Sequence, residues 1–163
     1  MGFVYAYAYF ILYAFLGWVC EDLYCGIPAK KFINRGFFYG PYCPIYGVGA
    51  LLVLYPLLFV KDYPILVFIL GVIITSTLEY ITSWVMEILF KTRWWDYSER
   101  FMNINGRVCL LNSTLFGIMS IVVVYIIHPV IQDIVLDIPL TALMSFLSAF
   151  TIGFGIDLSL IHI

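Results

Sequence analysis

The chain has 163 residues, of which 64% are hydrophobic, 19% aromatic and 11% charged, with a mean hydropathy of +1.03. A soluble domain carries about a quarter charged residues, so this surface is too apolar to face water and must face lipid. An ordinary cytosolic enzyme and a disordered chain are excluded, and the net charge of −2 leaves no basic patch for nucleic acid.

A helical membrane span needs about 20 mainly apolar residues. Five windows qualify, at about 3–24, 39–60, 64–90, 110–131 and 139–157. They are too long and too uniformly apolar for membrane β-strands, which alternate. The predicted fold is therefore all-α, a polytopic transmembrane helix bundle of about five spans forming a single domain over residues 1–157. The first window ends in Glu21-Asp22 and lacks a basic leader, so it reads as a span and not as a cleaved signal. Ala6 stands where N-myristoylation needs Ser or Thr.

Orientation follows the loop cations. Loop one carries Lys30, Lys31 and Arg35; loop three carries Lys91, Arg93, Arg100 and Arg107; loop two has Lys61 alone, and loop four has none. Loops one and three are expected in the cytoplasm and the N-terminus outside, in a multi-pass protein of the cell membrane.

The first and third spans end alike, in Gly17-Trp18-Val19-Cys20-Glu21 and Ser83-Trp84-Val85-Met86-Glu87, at an offset of 66. Downstream, Phe32-Ile33-Asn34 parallels Phe101-Met102-Asn103, and Gly36, Tyr46-Gly47 and Tyr55 parallel Gly106, Phe116-Gly117 and Tyr125, at offsets of 69 to 70. Gly153-Phe154-Gly155-Ile156-Asp157 then repeats small-aromatic-x-x-acid. The pattern predicts two parallel-repeat hairpins and the start of a third unit. The last six residues, Leu158 to Ile163, match a translation of the transposase end sequence used in sequencing-library adapters. They are expected to be foreign, with the natural C-terminus missing, so His162 carries no weight.

Polar residues inside the spans are the functional candidates. Glu79 lies eight residues before Glu87, about 12 Å deeper in the membrane. A carboxylate there costs about 2.5–3.5 kcal/mol, so it should face the bundle interior. Ser76, Glu79, Ser83 and Glu87 share one helix face. A polar path or binding site at mid-depth competes with a carboxylate satisfied by hydroxyls or by an Arg from a re-entrant loop. Glu21 and Glu87, at the span ends, can pair with Arg35, Arg93 or Arg107.

Loop one, from Asn34-Arg35-Gly36 to Pro44, is too rich in Gly and Pro for a straight helix through Gly40 to Pro44, so re-entry is expected. Loop three holds Arg93, Trp94, Trp95, Asp96, Tyr97, Asn103, Asn105 and Arg107. Its Trp, Tyr and Arg suit the headgroup level, whereas Asp96, Asn103 and Asn105 need another reason. The two loops could form one site with Glu21 and Glu87 beneath. His128-Pro129 is expected to end the fourth span as a cap or anchor. Cys20, Cys25, Cys43 and Cys109 fall toward the cytoplasm, where thiols stay reduced. No metal-ligand spacing and no nucleotide-binding loop occurs, so no cofactor is expected and any ATPase must be a separate chain.

Taken together, Gly17-Trp18-x-x-Glu21, Asn34-Arg35-Gly36-Phe37, Gly40-Pro41, Pro44-Ile45-Tyr46-Gly47, Leu78-Glu79-Tyr80 with Thr82-Ser83 and Glu87, Arg93-x-Trp95-Asp96-Tyr97 and Asn105-Gly106-Arg107-x-Cys109-Leu110 resemble the bacterial Putative ABC-transporter type IV family, also called CmpB-like. A vertebrate group, transmembrane protein 229, is similar. The resemblance covers nearly the whole chain to Asp157 and implies a small integral membrane protein labelled an ABC-transporter permease. It also implies a charged cytoplasmic tail after Asp157. The expected function is a transport subunit of unknown substrate that oligomerises and recruits a separate cytoplasmic ATPase. The alternatives are a membrane-interface enzyme acting on a lipid headgroup and a non-catalytic scaffold or regulator.

Overall fold

The computed structural model describes residues 2–30 and 38–161. It is helical almost throughout. Helices α1 (Phe3–Ala29), α2 (Pro44–Leu57) and α3 (Pro64–Phe90) precede a two-stranded hairpin, β1 (Asn103–Ile104) and β2 (Val108–Cys109). Helices α4 (Leu110–Val122), α5 (His128–Asp137) and α6 (Leu140–Ile161) follow. Four helices are long and apolar enough to cross a membrane: Phe3–Tyr24, Pro64–Phe90, Leu110–Asp137 and Leu140–Leu160. A fifth apolar helix, Pro44–Val60, is shorter. Large apolar side chains are exposed along them, including Phe59 at 82% and Ile65 at 77%, which suits a lipid solvent.

Two of these helices differ from the predicted windows. The second starts at Pro44, because the chain before it turns at Tyr39 to Pro41 and Pro44 supplies the preset φ of a first helical turn. The fourth does not stop at His128-Pro129. Pro129 has no N–H for the Tyr125 carbonyl, and its ring would crowd that oxygen. The chain answers with a π turn at Val123–Ile127, in which the His128 N–H reaches back five residues to the Val123 carbonyl. Helix geometry then resumes to Asp137. His128 is only 1% exposed, so it is buried inside a long helix and not placed at its end.

The chain divides into two compact units. In the first, residues 1–51 and 130–163, α1 packs against α6. Ala8, Ile11, Ala14, Leu143 and Leu147 are buried there, and Tyr7 and Thr151 share a hydrogen bond of 2.8 Å. Asp157, 6% exposed on α6, accepts the backbone N–H groups of Tyr39 (3.1 Å) and Gly40 (2.8 Å) and the hydroxyl of Tyr42. That carboxylate fixes the turn ahead of α2.

In the second unit, residues 52–129, α3 packs along α4. The buried positions of α3 are Val67, Gly71, Glu79 and Ser83, all on one row of every fourth residue, the ridge that helices interdigitate. Opposite lie Gly117 and Ser120. A Cβ on Gly71 would strike the Ser120 side chain, and one on Gly117 would strike Val72 and Phe68. Small residues let the backbones approach, which is how helices gain packing energy where lipid competes for apolar contact. The hydroxyls along the seam are satisfied: Ser76 donates to Ser113 (2.7 Å), Thr75 to the Gly71 carbonyl (2.8 Å) and Ser120 to the Phe116 carbonyl (2.9 Å).

This close approach generates a test. Gly117→Leu should destabilise the protein by about 1–3 kcal/mol, the usual cost of overpacking. Gly155→Leu, on a face with nothing within 4 Å, should leave it unchanged. Thermal unfolding in mild detergent measures both. Equal midpoints for the two variants would refute the role given to the α3/α4 seam.

Candidate functional site

Loop three, between α3 and α4, is built around a tight hairpin. Asn105 and Gly106 both adopt left-handed backbone, with φ of 53° and 67°. That is the requirement of a type I′ turn, and Asn-Gly is its preferred pair. The Arg107 N–H closes the turn on the Ile104 carbonyl at 3.0 Å, and Asn103 pairs with Cys109 and Ile104 with Val108. A Cβ on Gly106 would run into Asp96, Ser98 and Arg93, so the rest of the loop lies directly against the turn.

Side chains then lock the loop. Asn103 donates to the carbonyls of Ser98 (3.0 Å) and Arg100 (2.9 Å) and accepts the Gly106 N–H (3.0 Å). Asp96 accepts the Ser98 hydroxyl (2.5 Å) and N–H (2.9 Å) and faces Arg93 at 3.4 Å. The Ser98 bonds first, then Arg93, hold the Asp96 carboxyl below its ordinary value. This cap is present at neutral pH and is lost as pH falls through that lowered value. The Trp95 indole donates to the Arg107 carbonyl (3.0 Å), and the Tyr97 N–H to the Gly106 carbonyl (2.8 Å).

The locked loop presents two groups to α3. Arg107 meets Glu87 at 2.6 Å, donates to Ser83 at 3.2 Å and lies over the Tyr80 ring, 5.7 Å from its centroid. Arg93 reaches Glu87 at 3.5 Å, so Glu87 sits between two guanidinium groups. Asn105 donates to the Tyr80 hydroxyl at 2.8 Å. One helical turn below Ser83, the Tyr97 hydroxyl reaches Glu79 at 3.3 Å and accepts from Asn112 of α4 at 2.6 Å. Glu79 is 7% exposed. It points into protein, partnered by a loop phenol. A short ladder results, with an ion-paired carboxylate above and a buried hydrogen-bonded carboxylate beneath.

The structure thus gathers Glu79, Ser83, Glu87, Arg93, Asp96, Asn103, Asn105 and Arg107 in the second unit. Asn103 and Asp96 hold the loop, while Arg107 and Tyr97 touch the helix. Glu21 belongs to the first unit, where the Tyr46 hydroxyl donates to it at 2.5 Å. Asn34 and Arg35 lie outside the described residues. Three participants lie outside the predicted site residues: Tyr97, expected only as a headgroup anchor, Tyr80 and Asn112. Asn112, a lone amide in the first turn of an apolar helix, is a legible signal. The hairpin is legible too, since Asn-Gly between Ile104 and Val108 is a strong turn marker. Among the described residues no group of three or more His, Cys, Asp or Glu could hold a metal ion.

The family model described as Putative ABC-transporter type IV matches residues 8–161, nearly the whole chain. No curated protein and no solved structure matches it.

The lock predicts the effect of one methyl group. Gly106→Ala places a Cβ at positive φ against Asp96 and Ser98, so the loop should loosen. Trypsin cleavage after Arg100 and Arg107 in detergent should accelerate severalfold, whereas Ser98→Ala, which removes one cap, should show less. Unchanged cleavage of Gly106→Ala would contradict the packed loop.

Proposed function

The chain belongs to the Putative ABC-transporter type IV family, and from that premise we propose that it is a permease-like transport subunit powered by a separate ATPase. The observation that carries this reading is the buried carboxylate of Glu79, hydrogen-bonded to Tyr97 of loop three. Intramembrane acids are expensive and mark ion or substrate paths. A loop that reaches such an acid is a means by which an event at the membrane surface is felt inside the bundle. Loop three is the surface offered to the ATPase, since Asn103 and Asp96 cross-link its backbone into one lattice. A bundle of this size is too thin to enclose a path alone, so the working unit is a homo-oligomer. The substrate site is assigned to Glu79, Ser83 and Glu87 with Arg93, Arg107, Asp96, Asn103 and Asn105 around them. By sequence register, Glu21 and Asn34 of the first hairpin correspond to Glu87 and Asn103, with Arg35 next to Asn34.

The proposed topology has the N-terminus outside and loops one and three in the cytoplasm. Cysteine introduced at Lys30 and Arg100 should then react with impermeant reagent from the cytoplasmic side, and cysteine at Asp133 from the outside. Reaction at Asp133 from the cytoplasm alone would reverse the assignment.

Glu79→Gln tests the site. It removes a buried charge and keeps hydrogen-bonding capacity, so insertion should be as good as in the parent. If Glu79 binds a proton, cation or amine, the variant should be present at normal abundance and fail to complement a deletion strain. Glu87→Gln, nearer water, should lose less. Full complementation by Glu79→Gln would remove Glu79 from the site. Purification from native membranes should bring down an ATPase, and its consistent absence would overturn the partner assignment.

A further inference from the structure

The three arginines of loop three do not share one fate. Arg93 and Arg107 are spent on Glu87 and Asp96. Arg100 makes no ion pair among the described residues, although Glu99 precedes it. Its backbone is nevertheless fixed, its N–H on the Tyr97 carbonyl (2.8 Å) and its carbonyl on Asn103 (2.9 Å). The loop lattice therefore fixes the backbone that carries an exposed cation with no ion pair among the described residues.

That cation borders an open cavity of about 360 Å3, lined by Arg100, Phe101, Leu110, Leu111 and Thr114. Phe101 is 79% exposed, and Leu110 and Leu111 are about half exposed on the first turn of α4. The one hydroxyl in the wall, that of Thr114, is already donated to the Leu110 carbonyl at 2.8 Å. The cavity thus offers one positive charge and otherwise apolar wall, at the end of a helix long enough to span the bilayer.

We propose that this cavity binds an anionic phospholipid, its phosphate on the Arg100 guanidinium and its acyl chain along Phe101, Leu110 and Leu111. A guanidinium is weakly hydrated and matches phosphate oxygens in bidentate fashion. The apolar wall excludes free phosphate as the better ligand, because only a chain covers it. The unpaired charge selects an anionic headgroup over a zwitterionic one, whose own cation would face Arg100. With the backbone fixed, only the Arg100 side chain is left to be ordered on binding. This site is independent of the transport reading, since it uses none of the residues assigned to the substrate.

The test uses the full chain in nanodiscs of equal parts phosphatidylglycerol and phosphatidylcholine, with retained lipid read by native mass spectrometry. Phosphatidylglycerol should be retained in preference to phosphatidylcholine. Arg100→Gln should weaken that retention about fivefold, the worth of one interfacial cation. Arg100→Lys, which keeps the charge but not the two-pronged match to phosphate, should keep only part of it, and Phe101→Ala should weaken both lipids. Lys91→Gln, which removes a loop charge that does not line the cavity, should change nothing. Equal loss in Arg100→Gln and Lys91→Gln would show diffuse surface charge and overturn the proposal. Equal retention of the two lipids, or a dimer contact that fills this face and excludes lipid, would do the same.

Discussion

Arg107 reaches from the hairpin to α3, where it meets Glu87 at 2.6 Å and Ser83 at 3.2 Å. Much of the second unit is arranged around that contact. Its carbonyl takes the Trp95 indole, its N–H closes the Asn105-Gly106 turn, and its guanidinium covers Tyr80. A lysine could supply the charge but not the fork that engages a carboxylate and a hydroxyl from above a ring. With Arg107 fixed, Tyr97 is brought over Asn112 and Glu79.

The same unit meets two opposed demands of a membrane interior. Apolar burial gains little against lipid, so the helices must approach closely, and Gly71, Gly117 and Ser120 provide the room. Polar groups must be paired, and the hydroxyls of the seam are paired within it or to their own helix backbone. Glu79 lies farther along the same ridge, where the Tyr97 phenol reaches it and takes the amide of Asn112. The costly group sits where loop and helices together can serve it.

The π turn at Val123–Ile127 belongs to the same economy of backbone bonds. A proline in mid-helix ordinarily frees a carbonyl, which lipid cannot satisfy. Widening the preceding turn lets the helix continue past Pro129 to Asp137. The first unit solves a related problem with a side chain. Asp157 takes the N–H groups of Tyr39 and Gly40, donors that the turn ahead of α2 would otherwise leave unmet.

Composition and hydropathy alone settle the solvent and the fold class, because an uncharged apolar run of this length has one stable form in lipid. They also single out Glu79, since an acid in such a run stands apart whatever surrounds it, and its spacing from Ser83 and Glu87 places all three on one helix face. Loop three was legible only in part. Asn105-Gly106 marks a turn locally, but that Asn103 and Asp96 hold the loop while Arg107 and Tyr97 engage α3 depends on where residues far apart in sequence come to rest. The fate of Pro129 was equally undetermined, because a proline ends a helix or bends it according to whether the freed carbonyl finds a partner. Local sequence states what each group needs; only the packed chain decides which neighbour supplies it.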